Sequence, residues 1–345
     1  MSAISRPSLC AALLTAASLW LTVVPASAQR ISPLANPNEV RPGVLRTPDD
    51  RFENLEGYPF EPHYVDVMVE RGVGGQERVP MRMHYVDEGE GDPVLMLHGQ
   101  PTWSYLYRKM IPIVAREHRV IAPDWIGFGK SDKFIREADY TFKMHFESAV
   151  AFVEALDLHD VTLVVQDWGG FLGLPLATEL PDRFARLVVM NTALPTGYGM
   201  MTEGWYAYRD RTRMQAAAGQ ERTFSAGGRG NPEITRAYSA PFPDPSFYAG
   251  PNTFPQIVPI LPGDPASELM LRTADRLSRW DKPAIVMFSD GDPILGPHQN
   301  YLRRLIPTAL DEPLVVIENA GHFLQEDQGE VVAQRILEFM ERHPL

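Results

Sequence analysis

Val161-Thr-Leu-Val-Val-Gln-Asp167-Trp168-Gly169-Gly170 is the stretch that decides the fold. Its apolar run shows no alternation of polar and apolar residues, so it predicts a strand buried on both faces. Such strands lie in the middle of a mostly parallel sheet covered by helices. After Trp168 the pattern turns helical as far as Leu180, with glycines where a helix must pack tightly behind a sharp turn. A strand, a sharp turn and a helix with a reactive side chain at the apex form a nucleophile elbow, here with Asp where Ser is more familiar. The helix N-terminus stabilises negative charge near Asp167. Taken alone, Asp-Trp-Gly-Gly also suits a helix cap followed by a turn, so the rest of the chain must decide.

Outward from this strand, short apolar runs alternate with helical patterns from Tyr64 onward. The expected strands are Tyr64–Glu70, Met81–Asp87, Pro93–Leu97, Arg119–Ala122, Val161–Gln166, Leu187–Asn191, Ala284–Ser289 and Leu314–Glu318. Helices are expected over Ser104–Ala115, Thr141–Leu156, Gly169–Leu180 and Gly329–Arg342. This is an α/β chain with an eight-stranded, mostly parallel sheet and helices on both faces. The alternation stops between Thr192 and about Ala274, a stretch with many Gly, Pro, Tyr and Met residues. We read residues 195–274 as an inserted helical cap and residues 51–194 and 275–345 as the core. An insertion leaving the carboxyl end of a strand roofs the place where open α/β sheets bind ligands.

The chain of 345 residues is 44% hydrophobic and carries 44 acidic against 32 Lys and Arg residues, for a net charge of −12. That balance, with no basic run, argues against a nucleic-acid partner. Residues 1–28 hold one charge, Arg6, then an apolar stretch from Ala11 to Val24 and Pro25-Ala-Ser-Ala28. This reads as a secretory signal cleaved after Ala28 and too short for a spanning helix, so a periplasmic or secreted protein is expected, free of the membrane once the signal is removed. The one cysteine, Cys10, lies in that signal, which leaves the mature chain without disulfides or cysteine-built metal sites. Residues 29–50, rich in proline, read as a lead-in.

Two further strands end in chemistry. Ala284-Ile-Val-Met-Phe-Ser-Asp290-Gly-Asp292-Pro supplies an acid, and Leu314-Val-Val-Ile-Glu-Asn-Ala-Gly-His322-Phe supplies an imidazole. Nucleophile, acid and histidine in that order match the α/β-hydrolase arrangement. Upstream, Val94-Leu-Met-Leu-His98-Gly99-Gln100-Pro101-Thr102-Trp103 carries a strand into a loop. There the backbone N–H groups of Gln100 and Trp168 are positioned to form an oxyanion hole. His98 reads as a tether for that loop.

His98-Gly-Gln-Pro-Thr-Trp-Ser-Tyr-Leu-Tyr-Arg-Lys-Met-Ile-Pro, Ile126-Gly-Phe-Gly-Lys-Ser-Asp-Lys, Val-Val-Gln-Asp-Trp-Gly-Gly-Phe-Leu-Gly-Leu and Asp292-Pro-Ile-Leu-Gly-Pro together resemble the haloalkane dehalogenases. The likeness runs from about Leu45 to the C-terminus and is weakest in the insertion. It implies hydrolysis of a small halogenated alkane by water to an alcohol and a halide, with no metal or organic cofactor. Asp167 is then the nucleophile, His322 the base and Asp292 the acid that orients it. Asp292 is preferred to Asp290 because it matches the family's acid after the seventh strand, whereas Asn191-Thr-Ala-Leu-Pro after the sixth has none. An ionised carboxylate needs no base to attack a saturated carbon, which explains Asp in place of Ser. The resemblance also assigns Trp168 to the departing halide. Its second donor is open between Trp205, the only Trp of the insertion, and the Gln100 amide, since the relatives nearest in motif carry Glu there.

Other readings share the elbow. Epoxide hydrolases use the same Asp with cap tyrosines, and Tyr198, Tyr206, Tyr208, Tyr238 and Tyr248 lie in the right region. The Pro-Thr-Trp-Ser-Tyr-Leu-Tyr stretch favours the dehalogenase. A fluoroacetate dehalogenase would follow its nucleophile with Arg, and an esterase would place Ser or Cys at 167. A silent scaffold protein is disfavoured because every catalytic position is filled. A monomer is expected.

Overall fold

The computed structural model describes residues 36–75, 77–220, 224 and 230–345. The expected signal and its cleavage site lie outside the described residues. Eight strands make the main sheet: β1 (His63–Glu70), β2 (Arg78–Glu88), β3 (Pro93–Leu97), β4 (Arg119–Pro123), β5 (Val161–Gln166), β6 (Phe184–Met190), β7 (Ala284–Ser289) and β8 (Val315–Ile317). Their order across the sheet is β8-β7-β6-β5-β3-β4-β2-β1. The pairs β1–β2 and β2–β4 are antiparallel, and every other neighbouring pair is parallel. All six residues of β5 are buried between β3 and β6, as its unbroken apolar run requires.

All eight expected strands are present, and β3, β5 and β7 have the expected bounds. β6 starts three residues earlier than Leu187, at Phe184. Arg186 lies in this buried strand, and its guanidinium donates to Thr162 Oγ1 at 3.0 Å and to the His343 carbonyl at 2.6 Å. Those partners satisfy its charge in the interior.

Two expectations are corrected. The helix expected over Ser104–Ala115 is a 3₁₀ turn at Ser104–Tyr107 followed by the short α1 (Ile111–Val114). Pro112 has no N–H to donate to the Arg108 carbonyl, which interrupts the hydrogen-bond ladder between the two turns. The lead-in is more structured than its composition suggests. Glu39–Arg41 and Val44–Leu45 pair with each other and then with Lys133–Phe134 in a small three-stranded sheet. Strands so short carry no periodicity to read. The C-terminal helix expected over Gly329–Arg342 is present, and a further turn from Leu324 precedes it across a non-helical Gln328.

The remaining helices are α2 (Phe142–Ala155), α3 (Trp168–Glu179), α4 (Glu203–Ala217), α5 (Pro232–Ser239), α6 (Ala249–Thr253), α7 (Ser267–Leu277), α8 (Gln299–Leu305) and α9 (Leu324–Arg342). Helices α4, α5 and α6 lie within residues 195–274, and position 275 falls inside α7. That helix packs on α3, with Arg276 Nη1 2.9 Å from both the Thr178 carbonyl and the Glu179 carboxylate. Among the described residues no helix is long and apolar enough to cross a membrane.

Candidate active site

The parallel strands deliver their C-terminal ends to one edge of the sheet, and the chemistry-bearing residues lie there. Asp167 follows β5 at φ 51°, ψ −121°, a left-handed conformation that costs a non-glycine residue about 1–3 kcal/mol. Surrounding contacts hold it in place. Its N–H donates to the Asn191 carbonyl at 3.0 Å, and its own carbonyl accepts from Gly170 N and from Thr192 Oγ1. The packing is close enough that a Cβ on Gly169 would lie 1.9 Å from the Leu97 carbonyl oxygen, and one on Gly99 would lie 2.4 Å from the Asp167 side chain.

The Asp167 carboxylate has two neighbours. Oδ1 accepts the Gln100 backbone N–H at 2.7 Å. Oδ2 lies 3.5 Å from His322 Nε2. The other expected backbone donor, the Trp168 N–H, is the first of α3, where the helix itself offers no acceptor.

His322 lies between two carboxylates. Its Nδ1 is 2.9 Å from Asp292 Oδ2, while Asp292 Oδ1 accepts the N–H groups of Ile294 and Leu295 at 2.8 and 3.1 Å. Burial disfavours the charged imidazole, but Asp292 and Asp167 outweigh it and push the pKa up to about 10. Burial also works against ionised Asp292, whose pKa is nonetheless held low by His322 and the two backbone N–H groups. Asp290 does not touch His322. It is exposed and braces the turn by accepting from Asn319 N and Ala320 N.

Two residues escaped the sequence reading. Gln166 Nε2 lies 3.1 Å from the His322 carbonyl and 3.3 Å from His322 Nε2. A carbonyl only accepts, so the nitrogen end of the amide must face the histidine. Asn191 Nδ2 reaches the carbonyls of Gly321 and His322, both at 3.1 Å, and Ser289 Oγ at 2.7 Å. Neither residue type attracts attention at a strand end, and their partners lie 98 to 156 residues away.

Asp167 and His322 open on a cavity of about 450 Å³. Trp168 and Trp205 line it and are 2% and 3% exposed. Trp168 stacks on Phe254 with ring centroids 4.2 Å apart. Gln100 is turned to another task than the halide contact considered for its amide. Nε2 donates to the Pro251 carbonyl at 2.9 Å and Oε1 accepts from the Tyr208 hydroxyl, so the side chain bridges to the insertion.

Of the five cap tyrosines, Tyr208 alone lines the cavity among the described residues. Tyr198 is exposed, and the Tyr238 hydroxyl donates to Glu326 at 2.7 Å. His98 is the expected tether: Nδ1 donates to the Gly99 carbonyl at 2.8 Å and Nε2 accepts the Trp125 N–H at 3.1 Å. Among the described residues no three His, Cys, Asp or Glu side chains converge on a metal-binding geometry.

The chain is similar to known proteins over most of its length. A family model of the α/β hydrolase fold matches residues 92–328. A haloalkane dehalogenase of Mycolicibacterium paratuberculosis is 46% identical over 303 residues, covering 86% of this chain and 98% of that protein. Haloalkane dehalogenase 1 of Mycobacterium tuberculosis is 48% identical over 301 residues, covering 86% and 99%. Among solved structures, the tetrameric haloalkane dehalogenase DpaA of Paraglaciecola agarilytica superposes with a TM-score of 0.74 at 38% identity, covering 86% of this chain and 98% of that one.

Proposed function

The chain belongs to the haloalkane dehalogenases, hydrolases of carbon–halide bonds with the α/β-hydrolase fold, and we propose that it works through an alkyl ester on Asp167. The observation that carries this reading is the Asp167 carboxylate at the cavity, with Oδ1 on the Gln100 N–H and Oδ2 beside His322 Nε2. In the first step an Asp167 oxygen attacks the halogen-bearing carbon, and the carbon–halogen electron pair leaves with the halide. The indole N–H groups of Trp168 and Trp205 solvate that halide in a site walled by apolar rings. His322 Nε2 then takes a proton from water, and the hydroxide adds to the ester carbonyl. The Gln100 and Trp168 backbone N–H groups hold the developing oxyanion. Collapse releases a primary alcohol and restores Asp167.

Electrostatics order the two steps. In the free enzyme the two carboxylates keep the imidazole protonated. Forming the ester removes the Asp167 charge, one of the two that raise the pKa, so the base becomes available when the ester needs it. Gln166 acts in the same direction as a positioning residue. Its N–H points at the lone pair of neutral Nε2, and a protonated Nε2 would meet another donor.

The substrate is a small halogenated alkane, with water as co-substrate and halide as a product. We further propose that the chain acts as a monomer, exported and cleaved after Ala28. Light scattering should give one mass no greater than the 38.7 kDa of the full chain, and recovered periplasmic protein should begin at Gln29. Tetrameric mass, or an intact N-terminus on cytosolic protein, would reject the respective statement.

The deciding experiment is bromide release from 1-bromohexane. Asp167→Ala should abolish it, and His322→Gln should accumulate an alkyl mass on Asp167. Diol from a simple epoxide without bromide release would overturn the assignment.

A further inference from the structure

Helix α4 presents Trp205, Tyr208, Arg211 and Gln215 to the cavity. Their spacing of three, three and four residues places them in one stripe along one helix face. The stripe changes character along its length. Trp205 is buried, the Tyr208 hydroxyl reaches the Gln100 side chain whose backbone holds Asp167, and Arg211 is exposed at the mouth. At 1.5 Å per residue, Arg211 lies about 9 Å outward from Trp205 along the helix.

Arg211 is set apart from its neighbours. Arg209 and Arg213 lie 3.1 and 3.8 Å from the Asp210 carboxylate. Among the described residues Arg211 pairs with no carboxylate, and its guanidinium carbon lies 5.6 Å from the Tyr208 ring centroid, on the cavity side. Apart from His322, which sits between its two carboxylates, it is the one cationic side chain among the described lining residues. The inner wall offers the indoles of Trp168 and Trp205, while the outer wall offers a guanidinium and the Gln215 amide. A cavity built this way suits an amphiphile.

Resting on the dehalogenase reading above, we propose that the preferred substrates are haloalkanes with a carboxylate at the far end of the chain, held by Arg211 at the mouth while the halogen-bearing carbon reaches Asp167. An anion entering the cavity is repelled by Asp167 and by a chain of net charge −12. Arg211 offsets that repulsion locally, within a Debye length of the bound head group. The head group takes part in no bond change. 6-Bromohexanoate and water give 6-hydroxyhexanoate, bromide and a proton, with the carbon–bromine bond replaced by a carbon–oxygen bond.

The test compares kcat/KM for 6-bromohexanoate and the neutral 6-bromohexanamide, with 1-bromohexane as reference, in the wild type, Arg211→Gln and Arg211→Lys. The exposed ion pair predicts a carboxylate preference of up to about fivefold at low salt. It should shrink in 0.5 M salt, vanish in Arg211→Gln and persist in Arg211→Lys. A merely structural role for Arg211 would move all three substrates together and leave the ratio and its salt dependence alone. No preference in the wild type, or an equal one in Arg211→Gln, overturns the proposal. If 1-bromohexane is also inert, the dehalogenase reading itself has failed; if it alone is turned over normally, only the head-group assignment has.

Discussion

Replacing Gln166 with leucine should raise the pH needed for ester hydrolysis. The Gln166 amide nitrogen lies 3.3 Å from His322 Nε2 in a fully buried site, and its N–H stabilises the neutral imidazole against the protonated one. A neutral hydrogen bond of this kind contributes about 0.5–1.5 kcal/mol. At 1.36 kcal/mol per pKa unit, its loss raises the His322 pKa in the alkyl-enzyme by about 0.4–1.1 units. Asp292 still holds Nδ1, and Asn191 still holds the His322 carbonyl at 3.1 Å, so the histidine loop keeps its place in the variant. The remaining titratable group in contact, Asp167, is uncharged as the ester. Below the midpoint, hydrolysis should slow by roughly 2.5- to 12-fold, and raising the pH should restore it. The assay loads enzyme with a bromoalkane in a single turnover and follows decay of the alkyl-Asp167 mass across pH, with thermal melts to confirm folding. A folded variant whose midpoint is unmoved or lowered would refute the reasoning.

Three other outcomes are expected. Asp292→Asn should cut turnover by about 10³–10⁴-fold, the order seen when a triad acid loses its charge, while Asp290→Asn, which removes the acceptor of only one of two backbone N–H groups in a turn, should leave steady-state bromide release within severalfold of wild type. Trp168→Phe and Trp205→Phe should each weaken bromide binding by about tenfold or more in a fluorescence titration, because each deletes a hydrogen bond to an anion, whereas Gln100→Ala should leave the bromide Kd nearly unchanged. Stability should fall as pH drops below about 6.5. His145 is buried with both ring nitrogens unpaired among the described residues, and burial pushes its pKa down to about 3. The unfolded chain binds this proton below about 6.5 and the folded one does not until about 3, so up to about 1.4 kcal/mol per pH unit is lost across that window. Chemical denaturation of His145→Phe should show a shallower acid slope than wild type, and equal slopes would remove His145 as the cause.

The parts of this protein legible in the sequence are those encoded over a few consecutive residues. Uninterrupted apolar runs gave β3, β5 and β7 with the right ends, because a strand buried on both faces admits little else. The elbow and the order Asp167, Asp292, His322 were legible because each residue sits where a predicted strand stops. What needed the tertiary structure is whatever joins distant segments. Gln166 and His322 are 156 residues apart, and only the stacking of β5, β6, β7 and β8 brings them into contact. The Gln100 side chain looked like a halide donor until the insertion folded over it and engaged both ends of its amide. Arg186 is accommodated in the interior because Thr162 and the His343 carbonyl, from distant segments, accept from its guanidinium. A backbone pattern repeats every two or 3.6 residues and so leaves a local signature. A polar side chain's partner has no fixed spacing along the chain, so packing alone decides what Gln166, Gln100 and Arg211 face.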